Sequence, residues 1–206
     1  MEVKLTYHGH ACFTLEYQGC KAVIDPYAWG MVPGQPDLHL TANAVYCSHG
    51  HADHNFTQAV EIEDAPSLPW TVQEFTTPHD DCNGTKRGMN TVRIFDCGGI
   101  RIAHLGDLGC FPDEKLEAAL EGVDCMLIPV GGFYTIGVQT AYQIIRAAQP
   151  KVAIPMHYRT DKTGFDNIAH IDDFVKLWNN VNYQDNSFTL TENSEKQILV
   201  LNYKGE

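Results

Sequence analysis

The stretch Ala44-Val45-Tyr46-Cys47-Ser48-His49-Gly50-His51-Ala52-Asp53-His54 decides how this chain is read. Residues 44–47 form a short apolar run after a polar loop holding Pro33 and Pro36, and they predict a strand. Directly beyond it, three imidazoles and a carboxylate fall within a few positions, and such groups are good ligands for zinc and similar divalent ions. Gly50 and Ala52 are small, so the backbone can approach an ion while the four larger groups converge on it. If His is about one residue in fifty and Asp about one in twenty, chance gives this pattern in a chain of this length roughly once in ten thousand. A His-rich surface turn without metal is therefore the weaker reading.

Working outward, residues 4–7, 12–17 and 21–24 read as strands separated by Gly9 and Gln18-Gly19, which predicts an antiparallel meander. Further strands are predicted at 71–75, 91–95, 100–105, 125–128, 152–154 and 197–201. Helices come between some of them. One covers 113–121 after Pro112, with acidic residues in its first turn. Val138, Ala141, Ile144, Ile145 and Ala148 form the apolar face of a second, and Ile171, Phe174, Val175 and Trp178 that of a third. The polar stretch 179–193 reads as a surface loop. Many strands first, then alternating strands and helices, predict a mixed, layered domain over residues 1–206 with no internal linker or repeat.

At 206 residues, with 44% hydrophobic and 19% charged residues, the chain is long enough for one sizeable core and has no signature of disorder. No apolar run approaches the roughly eighteen residues needed to cross a bilayer, and the N-terminus has no secretory pattern, so the mature chain is expected to begin at Met1. Seven cysteines without a C-x-x-C pair argue against a disulfide scaffold or zinc knuckle and fit a reducing cytoplasm. A formal charge of −12 repels polyanions at long range, so nucleic acid is not an expected partner, while a small molecule is. A homo-oligomer is compatible with all of this.

The pattern His49-x-His51-x-Asp53-His54 resembles the signature of the metallo-β-lactamase-fold hydrolases, and the resemblance extends through nearly the whole chain. Asp25, after the strand ending in Ile24, resembles the family's early aspartate; His79 its third histidine; Asp107, in His104-Leu105-Gly106-Asp107, its bridging aspartate; and His157, in Pro155-Met156-His157-Tyr158, its last histidine. The resemblance implies an α+β fold, a four-layer αββα sandwich with a dinuclear site along one edge. It implies that His49, His51 and His79 hold one metal, that Asp53, His54 and His157 hold the other, that Asp107 bridges both, and that Asp25 stands behind the ligands. More narrowly, Tyr7-His8-Gly9-His10-Ala11, His79-Asp80, Gly84, Arg87-Gly88 and Asn90-Thr91-Val92 resemble the compact branch that includes ascorbate-6-phosphate lactonase-like and other metal-dependent hydrolases. Neither the recognition arm of the tRNA-processing members nor the flavodoxin-like domain of the di-iron flavoproteins is present in the sequence.

The function so implied is hydrolysis of a small lactone, ester, amide or phosphodiester by a metal-bound hydroxide, with zinc favoured by the histidines and manganese or iron permitted by the carboxylates. Asp53 and His10 are the catalytic candidates. His10 follows Gly9 at a strand-to-strand turn, whereas His8 and His104 are the other spare imidazoles, the latter inside a strand. Tyr158 and Arg159, next to His157, are candidates to line the pocket and hold an anion. Cys82 and Cys110 follow two of the ligand positions, but the nitrogen and oxygen donors already complete the set. The competing reading is a metal-binding, redox or ligand-sensing protein that keeps the site and does no hydrolysis; metal identity and a hydrolase screen separate the two.

Overall fold

Alternation of buried and exposed side chains along the N-terminal hairpins builds the first of two large sheets in this computed structural model, which describes residues 1–202. In chain order the elements are β1 (Glu2–Gly9), β2 (Cys12–Tyr17), β3 (Cys20–Ile24), β4 (Leu40–Ala42), β5 (Ala44–Tyr46), β6 (Val60–Ile62), β7 (Thr71–Pro78), β8 (Met89–Cys97) and β9 (Ile100–His104). There follow α1 (Glu114–Leu120), β10 (Cys125–Pro129), α2 (Val138–Ala148), β11 (Val152–Met156), α3 (Ile171–Val175), β12 (Asn182–Gln184), β13 (Ser187–Thr191) and β14 (Gln197–Leu201). The first sheet runs β13-β1-β2-β3-β5, the second β12-β14-β11-β10-β9-β8-β7, and β4 and β6 form a small ribbon. The expected meander is β1-β2-β3, antiparallel throughout, and β5 joins β3 in parallel.

The two sheets face each other across one apolar layer. Leu5, Phe13 and Leu15 of the first meet Phe95, Ile102, Leu127, Ile154 and Leu199 of the second, all fully buried. A second layer fills the far side of the larger sheet, where Ile94, Ala103, Met126 and Ile128 pack against Leu116 and Leu120 of α1, Ile144 and Ile145 of α2, and Phe174 of α3. Burying each such aliphatic or aromatic side chain is worth about 1.5–3 kcal/mol, which is why β10 and β11 read as unbroken apolar runs: both of their faces are covered. The outer layer on the first sheet is built differently. Among the described residues, Tyr27, Val32 and Leu38 of the segment after β3, together with the β4–β6 ribbon and the single 3-10 turn Thr57–Ala59, cover Cys12 and Val23 there.

Helix ends follow from local chemistry. Asp113 caps α1, its side chain accepting from the Leu116 backbone N–H at 2.9 Å, with Glu114 and Glu117 in the first turn. α3 is only one short turn, and Trp178 lies beyond it, its ring packed on Tyr142 and Phe174. The stretch 179–193 departs from the loop expected of it: it holds β12 and β13, and β13 pairs antiparallel with β1 from Glu2↔Thr191 to Thr6↔Ser187. Its polarity reflects its place at a sheet edge, where Phe188 and Leu190 pack against the core and Thr189 between them is exposed.

This topology sets the site. β1, β3 and β5 run in one direction within the first sheet, as do β7, β9, β10 and β11 within the second. His10, Asp25, His49, His79, Asp107 and His157 all lie within three residues of the C-terminal end of one of these strands, so they gather along one edge of the sandwich.

Candidate metal centre

The turn after β5 is closed by the His54 N–H donating to the His51 carbonyl at 3.0 Å and is tied to the segment after β3 by the Ala28 N–H donating to the Ala52 carbonyl at 2.8 Å. It aims its imidazoles at two groups. His49, His51 and His79 offer nitrogens that all lie within 4.8 Å of one another, as do donor atoms of His10, Asp53, His54 and His157. Asp107 stands between these groups. Its Oδ2 is 3.3 Å from His157 Nε2, 3.4 Å from His79 Nε2 and 3.9 Å from His49 Nε2, while Oδ1 is 3.2 Å from His54 Nε2. Every residue expected in the ligand set is thus brought to one place.

Several of these donors are buried without a hydrogen-bond partner among the described residues: His49 Nε2, His54 Nε2, His157 Nε2 and Asp107 Oδ1. Buried polar atoms are normally satisfied, and leaving one unpaired costs about 1–3 kcal/mol. Four such atoms aimed at shared points, all nitrogen or carboxylate oxygen, fit divalent metal ions. The electrostatics point the same way. Burial opposes charge on His54, yet Asp107 and Asp25 on either side raise its pKa well above the ordinary value. Burial likewise opposes charge on Asp107, and His157 and His54 hold its pKa well below the usual range. The buried carboxylates thus favour positive charge between them.

Behind the donors lies a rigid support. Asp25, fully buried, accepts from the Ser48 backbone N–H and hydroxyl, each at 2.6 Å, and its Oδ2 is 2.8 Å from His54 Nδ1. That contact turns Nε2 of His54 toward Asp107. Asn90 does the corresponding work for Asp107: its Oδ1 accepts from the Asp107 N–H at 2.9 Å, while its Nδ2 donates to the Thr77 hydroxyl and the Leu105 carbonyl. Gly106 sits between them with φ of +52°, and any Cβ there would collide with Asn90 and Ser48. His10, Asp25 and His157 also hold left-handed backbone, with φ of 55°, 51° and 55°. Such strain costs about 1–3 kcal/mol per residue and clusters where a side chain must be aimed.

The remaining candidates divide clearly. His10 is in the site, its Nε2 3.2 Å from Asp53 Oδ2 and its ring 4.0 Å from that of His157. It is 1% exposed and does not line the open cavity, so it faces Asp53 rather than solvent. His104 belongs to the framework: Nε2 meets the Ala11 carbonyl across the sandwich at 2.9 Å and Nδ1 accepts from Gly106 N–H. His8 pairs with the Thr14 hydroxyl, and burial pulls its pKa down to about 4. Cys82 and Cys110 join neither group of histidines. Tyr158 is directed into the core, and Arg159 Nε donates to the Ile168 carbonyl at 3.0 Å; neither lines the cavity.

That cavity, about 390 Å³, opens over His51, Asp53, His79 and Asp107 and is walled by Met31, Arg87, Tyr134 and Phe165. Sequence reasoning gave none of these four, nor Asn90, a place in the site, although Arg87 and Asn90 stand in stretches that resemble the compact branch. Arg87 carried one usable signal, its place in the Arg87-Gly88 pair just before β8.

Comparison with known proteins places the chain in a family. The profile of the Beta-lactamase superfamily domain matches residues 4–157. A UPF0173 metal-dependent hydrolase of Carboxydothermus hydrogenoformans is 30% identical over 194 residues, covering 77% of this chain and 85% of that protein. One from Thermoplasma volcanium is 31% identical over 209 residues, covering 82% and 92%. A Thermotoga maritima structure assigned to the Zn-dependent hydrolases of the metallo-β-lactamase superfamily superposes with a TM-score of 0.74 at 32% identity, covering 97% of this chain and 98% of that one. This chain belongs to the β-lactamase superfamily, has the metallo-β-lactamase fold, and falls among its metal-dependent hydrolases.

Proposed function

We propose that this chain hydrolyses a small lactone, ester, amide or phosphodiester at a dinuclear metal centre. His49, His51 and His79 would hold one ion, Asp53, His54 and His157 the other, and Asp107 would face both, with zinc favoured by the imidazole-rich donor set. The observation that carries this reading is the Asp107 carboxylate, 3.2–3.9 Å from four imidazole nitrogens belonging to both groups. When bound, such ions supply Lewis acidity toward a carbonyl or phosphoryl oxygen and a nucleophile from water at neutral pH.

The chain's own residues do the rest. Asp25 holds His54 at Nδ1, and Asn90 holds the Asp107 backbone, so the donors are oriented before substrate arrives. His10 acts through Asp53: burial and the neighbouring His157 keep its pKa down at about 4, so it is neutral near pH 7 and keeps the carboxylate aimed. Met31, Tyr134 and Phe165 give the cavity apolar walls that exclude water from one side of a bound molecule. The cavity size and the charge of −12 support a pocket-sized substrate over a nucleic acid.

The test is metal analysis of the purified protein together with panels of small lactones, esters and bis-aryl phosphodiesters set beside RNA and single-stranded DNA at physiological salt. Two metals per chain and metal-dependent turnover of a small-panel member are expected. Cleavage of nucleic acid with no activity on the small panels, or tight metal binding with no hydrolysis of any panel, would overturn the reading.

A further inference from the structure

Arg87 is half-buried and lines the cavity over the histidines, yet its guanidinium has no ion pair and no hydrogen bond with any of the described residues. It instead lies against aromatic faces, with Cζ 5.5 Å from the Tyr134 ring centroid and 5.7 Å from that of Phe133. Those rings meet edge to face at 4.8 Å, and Phe133 is held in left-handed backbone with φ of 46°. Stacking of this kind fixes the plane of a guanidinium and leaves its edge N–H groups free to grip a carboxylate or phosphate.

The loop that carries Arg87 is fixed as well. Asp80, next to His79, accepts from the backbone N–H groups of Cys82, Gly84, Lys86 and Arg87 at 2.8–2.9 Å. One carboxylate thereby gathers the turn and ties it to a residue of the metal centre. The carboxylates nearest the cavity, Asp53 and Asp107, are engaged with imidazoles rather than with Arg87. In a chain of net charge −12, a partly desolvated cation left without a protein partner beside the reacting centre is matched by an anion brought from outside.

We propose that Arg87 is the substrate-recognition cation of this cavity, binding a carboxylate or phosphate at the non-reacting end of a substrate whose adjoining planar or apolar part lies against Tyr134, Phe165 and Met31. Tyr134 is itself held in place, its hydroxyl accepting from Asn167 Nδ2 at 2.7 Å. This inference rests on the hydrolase reading for the word substrate, but the anion subsite stands on Arg87 itself.

The experiment is calorimetric binding of phenyl phosphate, benzoate and benzyl alcohol to metal-loaded wild-type protein, Arg87→Ala and Arg87→Lys. Arg87→Ala should weaken binding of at least one anionic probe by roughly 10- to 100-fold, with Arg87→Lys intermediate and benzyl alcohol much less affected. The anion that loses more identifies the group recognised. Equal affinity of wild type and Arg87→Ala for both anions overturns the proposal, and so does loss of benzyl alcohol binding by the same factor, which would mean a collapsed pocket. Arg87-dependent binding in a protein that hydrolyses nothing upholds the subsite and defeats the catalytic reading alone.

Discussion

Asp25 Oδ2 and His54 Nδ1 stand 2.8 Å apart with both side chains fully buried. The contact joins the end of β3 to the histidine motif after β5. It also fixes which nitrogen of His54 faces the centre. Asp25→Asn should lower metal affinity by about 10- to 100-fold, because an amide cannot serve both Ser48 donors and His54 as a carboxylate does. Competition with a chromophoric chelator reads this directly, and unchanged affinity would show that His54 is oriented by other means.

Asp107→Ala should remove the carboxylate that lies close to imidazoles of both sets of donors. Metal content is expected to drop below two per chain and turnover to fall to the limit of detection, since four imidazoles would then converge without a shared anion. Elemental analysis and activity, measured on the same sample, check it; two tightly held metals with normal turnover would refute the bridging role.

His10→Ala should keep the metal content of the wild type and lower turnover by roughly 10- to 100-fold, the scale on which losing a residue that orients a ligand is felt. The effect is transmitted through Asp53, 3.2 Å away. Loss of metal from this variant would instead make His10 a ligand, as its place within 4.8 Å of the Asp53, His54 and His157 donors allows.

Asn90→Ala should destabilise the fold by about 1–3 kcal/mol, because the Thr77 hydroxyl, the Leu105 carbonyl and the Asp107 N–H would each lose a buried partner. Urea unfolding of the metal-free protein gives the number without interference from ligand linkage. A change under about 0.5 kcal/mol would place Asn90 among ordinary surface substitutions.

Asp80 predicts an acid-sensitive loop. Burial opposes its charge, but the amides of Arg87, Lys86, Cys82 and Gly84 outweigh that and depress its pKa from 3.8 to about 2. A depressed carboxylate stabilises the folded loop fully above its ordinary pKa and loses that effect as pH falls through the depressed one, so the window lies between 3.8 and about 2. At neutral pH, Asp80→Ala should abolish amide-exchange protection at residues 82, 84, 86 and 87 and weaken anion binding at Arg87. Protection equal to wild type would mean that the loop is ordered without Asp80.

Much of the site was legible because its chemistry is local. His49, His51, Asp53 and His54 occupy one turn after one strand, and the apolar runs of β10 and β11 announce their burial from composition alone. Asp25, His79, Asp107 and His157 were reached through their likeness to a known pattern, each beside a strand end. The family and the fold followed from these residues, and the comparisons agree.

Other features were decided by contacts between residues far apart in sequence. The strand β13 hid in a polar stretch because an edge strand needs only one apolar face, and its partner, β1, lies at the opposite end of the chain. His10 meets Asp53 across 43 positions, so its enclosure behind that carboxylate has no periodic signature. Arg159 is the cation that its place beside His157 in sequence nominates, yet a backbone carbonyl takes it while a carboxylate-gathered loop carries Arg87 to the cavity. The sequence by itself determined the metal-seeking chemistry, because ligand type and turn spacing are short-range properties. Only the tertiary structure decided which cation lines the cavity and which polar groups stand behind the donors, because burial and long-range packing choose among side chains that are chemically alike.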